Sequence, residues 1–427
     1  MKRTRSAPRS KRTPQRTAAM TRRRTGNRRS NVSSKKKKSV PARKRRPAVR
    51  SRKPRRLLFS TKRWVGLKPS SLSNGNAYQE FGPAETVPYL EAKGIGTPVS
   101  GSFQAGTELS PPAFTAVIKH ARIWGPSGAV ITPDGTVLCD VSWEYRWRFL
   151  ARQRHSILRT WKPYPLKKIE GTVGHLAHIS SSNYFHWLFD VLPRIDLIRK
   201  SGQSVDLYLF RSMERTGYRD EILNAMGIPA EQRIYATPRF HVEADTLVMP
   251  SLVSRYRWKV YAQPVTYSKR ATEFVRRELM AALGPVQSAE KPKRLYISRA
   301  NAGHRRLLNE PMITEMLASQ DFTVIHPENM TVKEQIHTFA SAEAVVAPHG
   351  AGLANLAFCS PGTKVIEMFS PAYTPGYYWM LSSHFDLDYR YLIGETIGKV
   401  HPWRGGMDII VDPGRLSLLL KLAGIGD

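Results

Sequence analysis

Cysteine is nearly missing from this chain. Cys139 and Cys359 are the only two in 427 residues and stand far apart, which excludes a disulfide-stapled secreted scaffold. Long apolar runs are missing as well. No window approaches 18 consecutive apolar residues, so no helix is expected to span a membrane. The opening stretch, MKRTRSAPRSKRT, lacks the apolar segment that a secretory signal requires. Acid is absent from the first 63 residues, which hold 27 of the 67 Lys and Arg; the rest of the chain carries the other 40 against all 33 Asp and Glu. Two materials are therefore joined in one polypeptide. A basic tail with too little apolar surface to order itself precedes a globular part long enough for two domains.

The tail, residues 1–63, is a low-complexity run of Arg, Lys, Ser, Thr and Pro that includes Lys35 to Lys38 and Arg43 to Arg46. Like charges repel and Pro blocks helix, so the expectation is a disordered polybasic extension; only Leu57, Leu58 and Phe59 offer a compact apolar contact. Its chemistry suits an anionic membrane surface, a nucleic acid or an acidic polysaccharide. Each Lys or Arg near an anionic leaflet contributes about 1 kcal/mol, and phosphate backbones attract the same charges with steep salt dependence. Nothing in the tail chooses among these partners.

Residues 64–114, rich in Gly, Pro and Ser, read as an irregular lead-in. Beyond them AVIKHARIW and GAVITPDGTVLCD predict antiparallel strands turned at Pro133-Asp134-Gly135. GTVGHLAHI predicts a strand, and a helix follows through NYFHWLFDVLPRIDLIRK. From there strands (DLYLF, DTLVMP, RLYISR, FTVIHP, AEAVVAP, GTKVIEMF) alternate with helices, the pattern of βαβ units and parallel sheet. The fold class is α/β, with two Rossmann-like domains facing a cleft. The expected boundaries are 1–63 for the tail, 64–114 for the lead-in, 115–258 for an acceptor-side domain and 259–427 for a nucleotide-binding domain.

In the second half, Val345 to Leu353 reads as a buried strand ending in a glycine turn at His349-Gly350-Ala351-Gly352, with a helix immediately after. Glycines admit a ligand to the backbone and a helix N-terminus favours phosphate. His349, Gly350 and Gly352 are thus candidates for holding a diphosphate. Glu367, ending the next strand, suits a ribose diol because its two oxygens match two hydroxyl donors. Arg294 and Arg299 bracket a strand, with Asn301, His304, Arg305 and Arg306 behind it; Arg299 and Arg305 are the clamp candidates for a leaving diphosphate. Arginines can supply the positive charge that a leaving diphosphate needs without a metal, so no metal ligand and no cofactor are expected.

In the first half, Asn183, His186, Asp190 and Arg194 fall at i, i+3, i+7 and i+11, on one helix face, while Phe185, Leu188, Phe189, Leu192 and Ile195 form the other. Pro193 deletes one helix hydrogen bond and kinks the turn around Asp190. A His and an Asp one turn apart suit a general base and its orienting carboxylate. A purely structural polar pair fits the same spacing, and Asp190 itself is the competing base. Asn183 and Arg194 are acceptor-side candidates. His175 and His178 read as structural.

Three strings, SSSNYFHWLFDVLPRIDLI, YISRANAGHRRLLNE and VVAPHGAGLANLAFCSPGTKVIEMF, resemble the landmark blocks of the family 61 glycosyltransferases, and the likeness extends over about residues 115–395. Prokaryotic examples are often labelled capsular polysaccharide biosynthesis proteins. The resemblance implies the GT-B arrangement of two Rossmann-like domains and donor binding in the C-terminal half. It also implies inverting, metal-independent transfer from a nucleotide-sugar to a hydroxyl of a glycan, lipid-linked saccharide or protein. Eukaryotic relatives add N-acetylglucosamine or pentoses to proteins or glycans in the secretory pathway. Without a signal or anchor helix, the expected setting here is cytoplasmic, with the tail open to peripheral contact at the inner face of a membrane. The competing reading is a nucleic-acid or anionic-surface binder acting through its tail, with a non-catalytic nucleotide-binding module. That reading predicts aromatics among the basic residues, and the tail has only Phe59.

Overall fold

The computed structural model describes residues 53–66, 75–99, 102–142, 155, 157–162, 164–212, 217–255, 266–284, 291–397 and 406–426. The tail expectation lies outside them for residues 1–52. All described residues belong to one compact unit, built on two sheets.

The first sheet has ten strands. Its centre is four parallel strands in the order His241–Pro250, Lys167–His175, Leu207–Arg211 and Arg233–Ala236. Phe114–Lys119 and Arg122–Trp124 pair antiparallel with His241–Pro250. The predicted turn is where the sequence places it: Ala129–Ile131 and Thr136–Leu138 are antiparallel, and Gly135 takes φ 83° between them. The described part of the stretch assigned to the tail, from Lys53, is folded against the first sheet. Arg56–Leu58 pairs with Thr136–Leu138, and the Thr61 amide and hydroxyl both donate to Asp140, at 2.7 and 2.8 Å. The apolar Leu57-Leu58-Phe59 group was the signal.

The second sheet is parallel throughout, in the order Phe322–Ile325, Arg294–Ile297, Ala344–Pro348, Lys364–Phe369, Asp388–Ile393, Lys93–Ile95. Consecutive residues such as Val345-Val346 and Val365-Ile366 are buried together, as a parallel sheet covered on both faces requires. Thr331 and Glu334 form a reciprocal capping box that starts the helix Val332–Ala340. The last strand comes from the lead-in, which is less irregular than its composition suggests. It holds four strands, Ala77–Glu80, Thr86–Tyr89, Lys93–Ile95 and Gly106–Leu109. Strands of three or four residues show no periodicity, and their partners are distant in sequence. Gly94 is required where it stands, because a Cβ would come within 2.5 Å of the Tyr391 carbonyl oxygen. The same lead-in clamps the helix Tyr377–His384: Trp379 Nε1 donates to the Leu90 carbonyl at 2.7 Å, and Tyr89 stacks on Trp379 at 4.9 Å.

Between the sheets lies helix 184–200. Its first turn, Tyr184–His186, is α-helical, Trp187–Val191 is a π turn, and Pro193–Lys200 returns to α. Pro193 has no amide hydrogen to continue the ladder, and the Leu192 amide reaches back five residues to the Trp187 carbonyl at 3.3 Å. Phe185, Leu188, Phe189, Leu192 and Ile195 are buried as expected, each stabilising the fold by about 1.5–3 kcal/mol. They enter a hydrophobic core that also takes in Phe210 and Val248 of the first sheet and Leu295, Ile297 and Val345 of the second. The sheets share this core, and each also keeps a cluster of its own, around Ile118, Val173 and Leu247 in the first and around Tyr296, Val346 and Ile366 in the second.

Candidate active site

The strand Ala344–Pro348 delivers the chain to Gly350 at the wall of a cleft of about 890 Å³. Gly350, Ala351 and Gly352 line it, with Arg299 and Asn301 from the loop after Arg294–Ile297 and Tyr184 from helix 184–200. The expected helix after the turn is a 3₁₀ helix, Ala351–Phe358. Gly350 is extended, and its missing side chain makes room for protein rather than ligand: a Cβ would run into Arg299 Nη1. At Gly352 a Cβ would lie 3.2 Å from Ile297 Cγ2, a tight fit without a clash.

Arg299 is fixed by two carbonyls. Its Nε donates to Arg305 O at 3.1 Å and its Nη2 to His304 O at 2.8 Å, while Nη1 has no hydrogen-bond partner among the described residues. Burial and the neighbouring Arg305 lower its pKa to about 10, so it stays charged at neutral pH. Arg305 is outside the cleft lining; its guanidinium lies over Tyr373 at 5.8 Å, on a left-handed backbone with φ 57°. Arg294 donates to the Gln320 carbonyl, and Arg306 is paired with Asp408 at 2.7 Å.

Next to the glycine turn, His349 Nδ1 is hydrogen-bonded to Glu367 Oε1 at 2.5 Å, and Tyr389 Oη donates to Glu367 Oε2 at 2.7 Å. The ribose contact expected of Glu367 does not fit this arrangement. The residue is 0% exposed and both its oxygens are engaged within the protein. Burial pushes its carboxyl well above the usual range, and burial with Arg305 and Arg299 pushes His349 well below. The sequence missed Tyr389. An acid inside the apolar run VIEMF was the signal, since a buried carboxyl needs a polar neighbour on an adjoining strand.

The second pair sits on helix 184–200. His186 Nδ1 and Asp190 Oδ2 are 2.7 Å apart, spanning the π turn. Asp190 also accepts from Ser254 Oγ at 2.6 Å and from Tyr267 Oη at 2.7 Å, two partners that sequence spacing did not indicate. Burial alone would raise the Asp190 carboxyl, but His178, His186 and the Ser254 hydroxyl outweigh it and hold it below the usual range. An ionised Asp190 accepts the Nδ1 proton and leaves His186 Nε2 as the basic nitrogen. The His186 side chain is 12% exposed against 2% for Asp190, so the imidazole is the member within reach of solvent.

Asn183 is exposed, and its side-chain Oδ1 caps the helix, accepting from the amides of Phe185 and His186. Arg194 is not placed for an acceptor. It is wholly buried and donates to the carbonyls of His175 and Ala177, at 2.9 and 3.4 Å. His175 is structural, as expected: it is buried and bonded to the Gly128 carbonyl at 2.7 Å. Neither the pair His186–Asp190 nor the side chains of His349 and Glu367 line the 890 Å³ cleft, although Pro348 and Gly350 on either side of His349 do; Tyr184, two residues before His186, also lines it, with its hydroxyl donating to Asn355 Oδ1 at 3.1 Å. The two histidines approach a common aromatic layer, with His186 edge-on to Tyr377 at 5.8 Å and His349 against Tyr378 at 5.3 Å. Among the described residues no three His, Cys, Asp or Glu are grouped to hold a metal ion.

The glycine turn and an arginine nitrogen without a hydrogen-bond partner among the described residues thus border a cleft of nucleotide size. Residues 184–366 match the family model of Glycosyltransferase 61. Every residue lining the cleft lies inside that segment. Over 62 residues the chain is 36% identical to a beta-1,2-xylosyltransferase of Oryza sativa subsp. japonica; the match covers 14% of this chain and 12% of the relative.

Proposed function

We propose that this chain transfers a sugar from a nucleoside-diphosphate sugar to a hydroxyl of a glycan, lipid-linked saccharide or protein. The observation that carries the reading is the coincidence of the cleft with the family segment, together with the free Arg299 Nη1 over Gly350. A cleft of about 890 Å³ is of the size that holds a nucleotide-sugar. In this reading the two sheets act as the halves of a GT-B enzyme, with the donor on the second sheet. Transfer inverts the anomeric centre in one in-line attack. His186 Nε2 takes the acceptor proton and Asp190 orients the ring. Arg299 stabilises the leaving diphosphate in place of a metal. The name of the rice relative makes a pentose the first sugar to try.

The basic segment would hold the enzyme at an anionic surface, which suits polysaccharide assembly on the cytoplasmic face of a membrane.

A panel of UDP-, GDP- and CMP-sugars, UDP-xylose included, tests the reading by thermal shift and donor hydrolysis in excess chelator. One donor should stabilise the protein and be turned over. Binding of none of them removes the proposal, and activity restored only by Mg²⁺ or Mn²⁺ removes its metal-free form.

A further inference from the structure

Two histidine–carboxylate pairs flank the aromatic layer, and their surroundings differ. Asp190 accepts hydroxyl hydrogen bonds from Ser254 and Tyr267 besides its contact with His186. Glu367 has one hydroxyl, from Tyr389, and His349. The groups facing His349 come from four places. They are Arg299 and Arg305 after the strand Arg294–Ile297, Glu367 and Phe369 of the strand Lys364–Phe369, Tyr373 beyond it, and Tyr378 of the helix Tyr377–His384. The cations among them are both arginines.

We infer that Glu367 stays protonated and donates a hydrogen bond from its carboxyl O–H to His349 Nδ1, fixing the ring as the neutral Nε2–H tautomer that donates a hydrogen bond to the leaving diphosphate. This arrangement satisfies both oxygens of Glu367 and Nδ1 of His349. Glu367 Oε1–H donates to Nδ1, Oε2 accepts from Tyr389, and the one nitrogen left over is Nε2, which has no partner among the described residues on a side chain only 7% exposed. The reverse arrangement, an ionised Glu367 accepting from Nδ1–H, would bury a carboxylate with no guanidinium bonded to it. It would also turn a lone pair on Nε2 toward an anion. An imidazolium would face two guanidiniums. Burial acts the same way on both partners, raising Glu367 and, with Arg305 and Arg299, lowering His349.

The chemistry of the leaving group agrees. A nucleoside diphosphate departs as an anion and needs charge stabilisation rather than a proton, so a preorganised neutral donor suffices and no proton leaves the pair. The attacking hydroxyl does lose a proton, and it falls to the pair whose carboxylate stays ionised, His186–Asp190. Opposite protonation of two similar pairs separates their roles. Glu367 and Tyr389 are then positioning residues, acting through His349.

The role of His349 toward the diphosphate rests on the donor reading above; its tautomer does not. Nitrogen-15 NMR of histidine-labelled full-length protein between pH 6 and 8 should show His349 neutral, with the proton on Nε2 and Nδ1 as acceptor. Glu367→Gln, whose amide still donates to Nδ1 and accepts from Tyr389, should keep that signature; Glu367→Ala should lose it and reduce turnover at least about tenfold. A protonated ring, or a proton on Nδ1, in the unmodified protein overturns the inference whatever the variants do. Titration with UDP or GDP should move the Nε2 resonance. Nucleotide binding that leaves Nε2 unmoved overturns the diphosphate contact alone, whereas failure of both nucleotides to bind overturns the donor reading and the contact with it.

Discussion

Arg299 lies so close to Gly350 that no side chain fits between them. The glycine turn and the arginine loop, on neighbouring strands of the second sheet, are therefore one device: the bare backbone at Gly350 lets the guanidinium reach the cleft wall. Gly350→Ala should push Arg299 off its two carbonyls while leaving the sheet intact. Loss of a charged hydrogen bond is worth about 1.5–3 kcal/mol, so nucleotide affinity should fall roughly 10- to 100-fold by calorimetry. Arg299→Ala should do the same. Arg299→Lys should not rescue it, because a lysine cannot bond two carbonyls and still present a free nitrogen. Gly352→Ala, which meets only Ile297 at 3.2 Å, should cost far less. Equal losses at the two glycines would show that the turn itself, not Arg299, holds the ligand.

The pair on helix 184–200 makes a kinetic prediction. His186→Ala and Asp190→Asn should each lower turnover at saturating donor and acceptor by about 10²–10⁴-fold, with donor affinity retained. A His186→Ala rate within a few-fold of the parent removes the imidazole as base. A larger loss in Asp190→Asn alone would pass the role to the carboxylate.

Acid should destabilise the fold well above the carboxylate range. Buried His175, His178 and His384 have pKa values lowered to about 3, 4 and 3, burial being the main cause. Below about pH 6.5 the unfolded chain binds protons at these rings and the folded chain does not, so stability falls as pH drops. Each ring contributes about 1.4 kcal/mol per pH unit until its folded value is reached. Urea midpoints should decline steeply between pH 6.5 and 4.5, and His384→Gln should flatten the slope. A midpoint constant across that window would contradict the burial.

The tail separates from the fold earlier than its charge pattern suggests. A chain starting at Lys53 keeps the strand Arg56–Leu58 and the Thr61–Asp140 bonds. It should hold its turnover on a soluble acceptor and lose salt-sensitive binding to anionic vesicles. A chain starting at Trp64 should in addition melt at a lower temperature. Vesicle binding at low salt that survives truncation at Lys53 would dismiss the tail as an electrostatic anchor.

Much of the second sheet was legible because parallel strands buried on both faces leave unbroken apolar runs such as AEAVVAP, and because Thr331 and Glu334 announce a capped helix. Helix 184–200 was legible as a helix but not as a π turn. Spacing counted at 3.6 residues per turn puts Asn183, His186, Asp190 and Arg194 on one polar face; the structure gives Asn183 to a cap and Arg194 to the core. Glu367 misled for another reason. A carboxylate at a strand end is read by analogy as a ribose ligand, and only the neighbouring strand shows that Tyr389 already fills its second oxygen. Partners such as Tyr267 and Ser254, 77 and 64 residues from Asp190, leave no local signal.

The strand Lys93–Ile95 closes the far edge of the second sheet against Asp388–Ile393, nearly 300 residues later in the chain. A ribosome must therefore add nearly 300 further residues before Lys93–Ile95 meets its partner, and until then that short strand waits unpaired. A fragment cut to residues 259–427 would lack Lys93–Ile95 and leave the backbone edge of Asp388–Ile393 open to any other strand. Excised in that way, the fragment should accumulate as aggregate during expression, and supplying residues 75–110 as a separate peptide should recover part of it in soluble form.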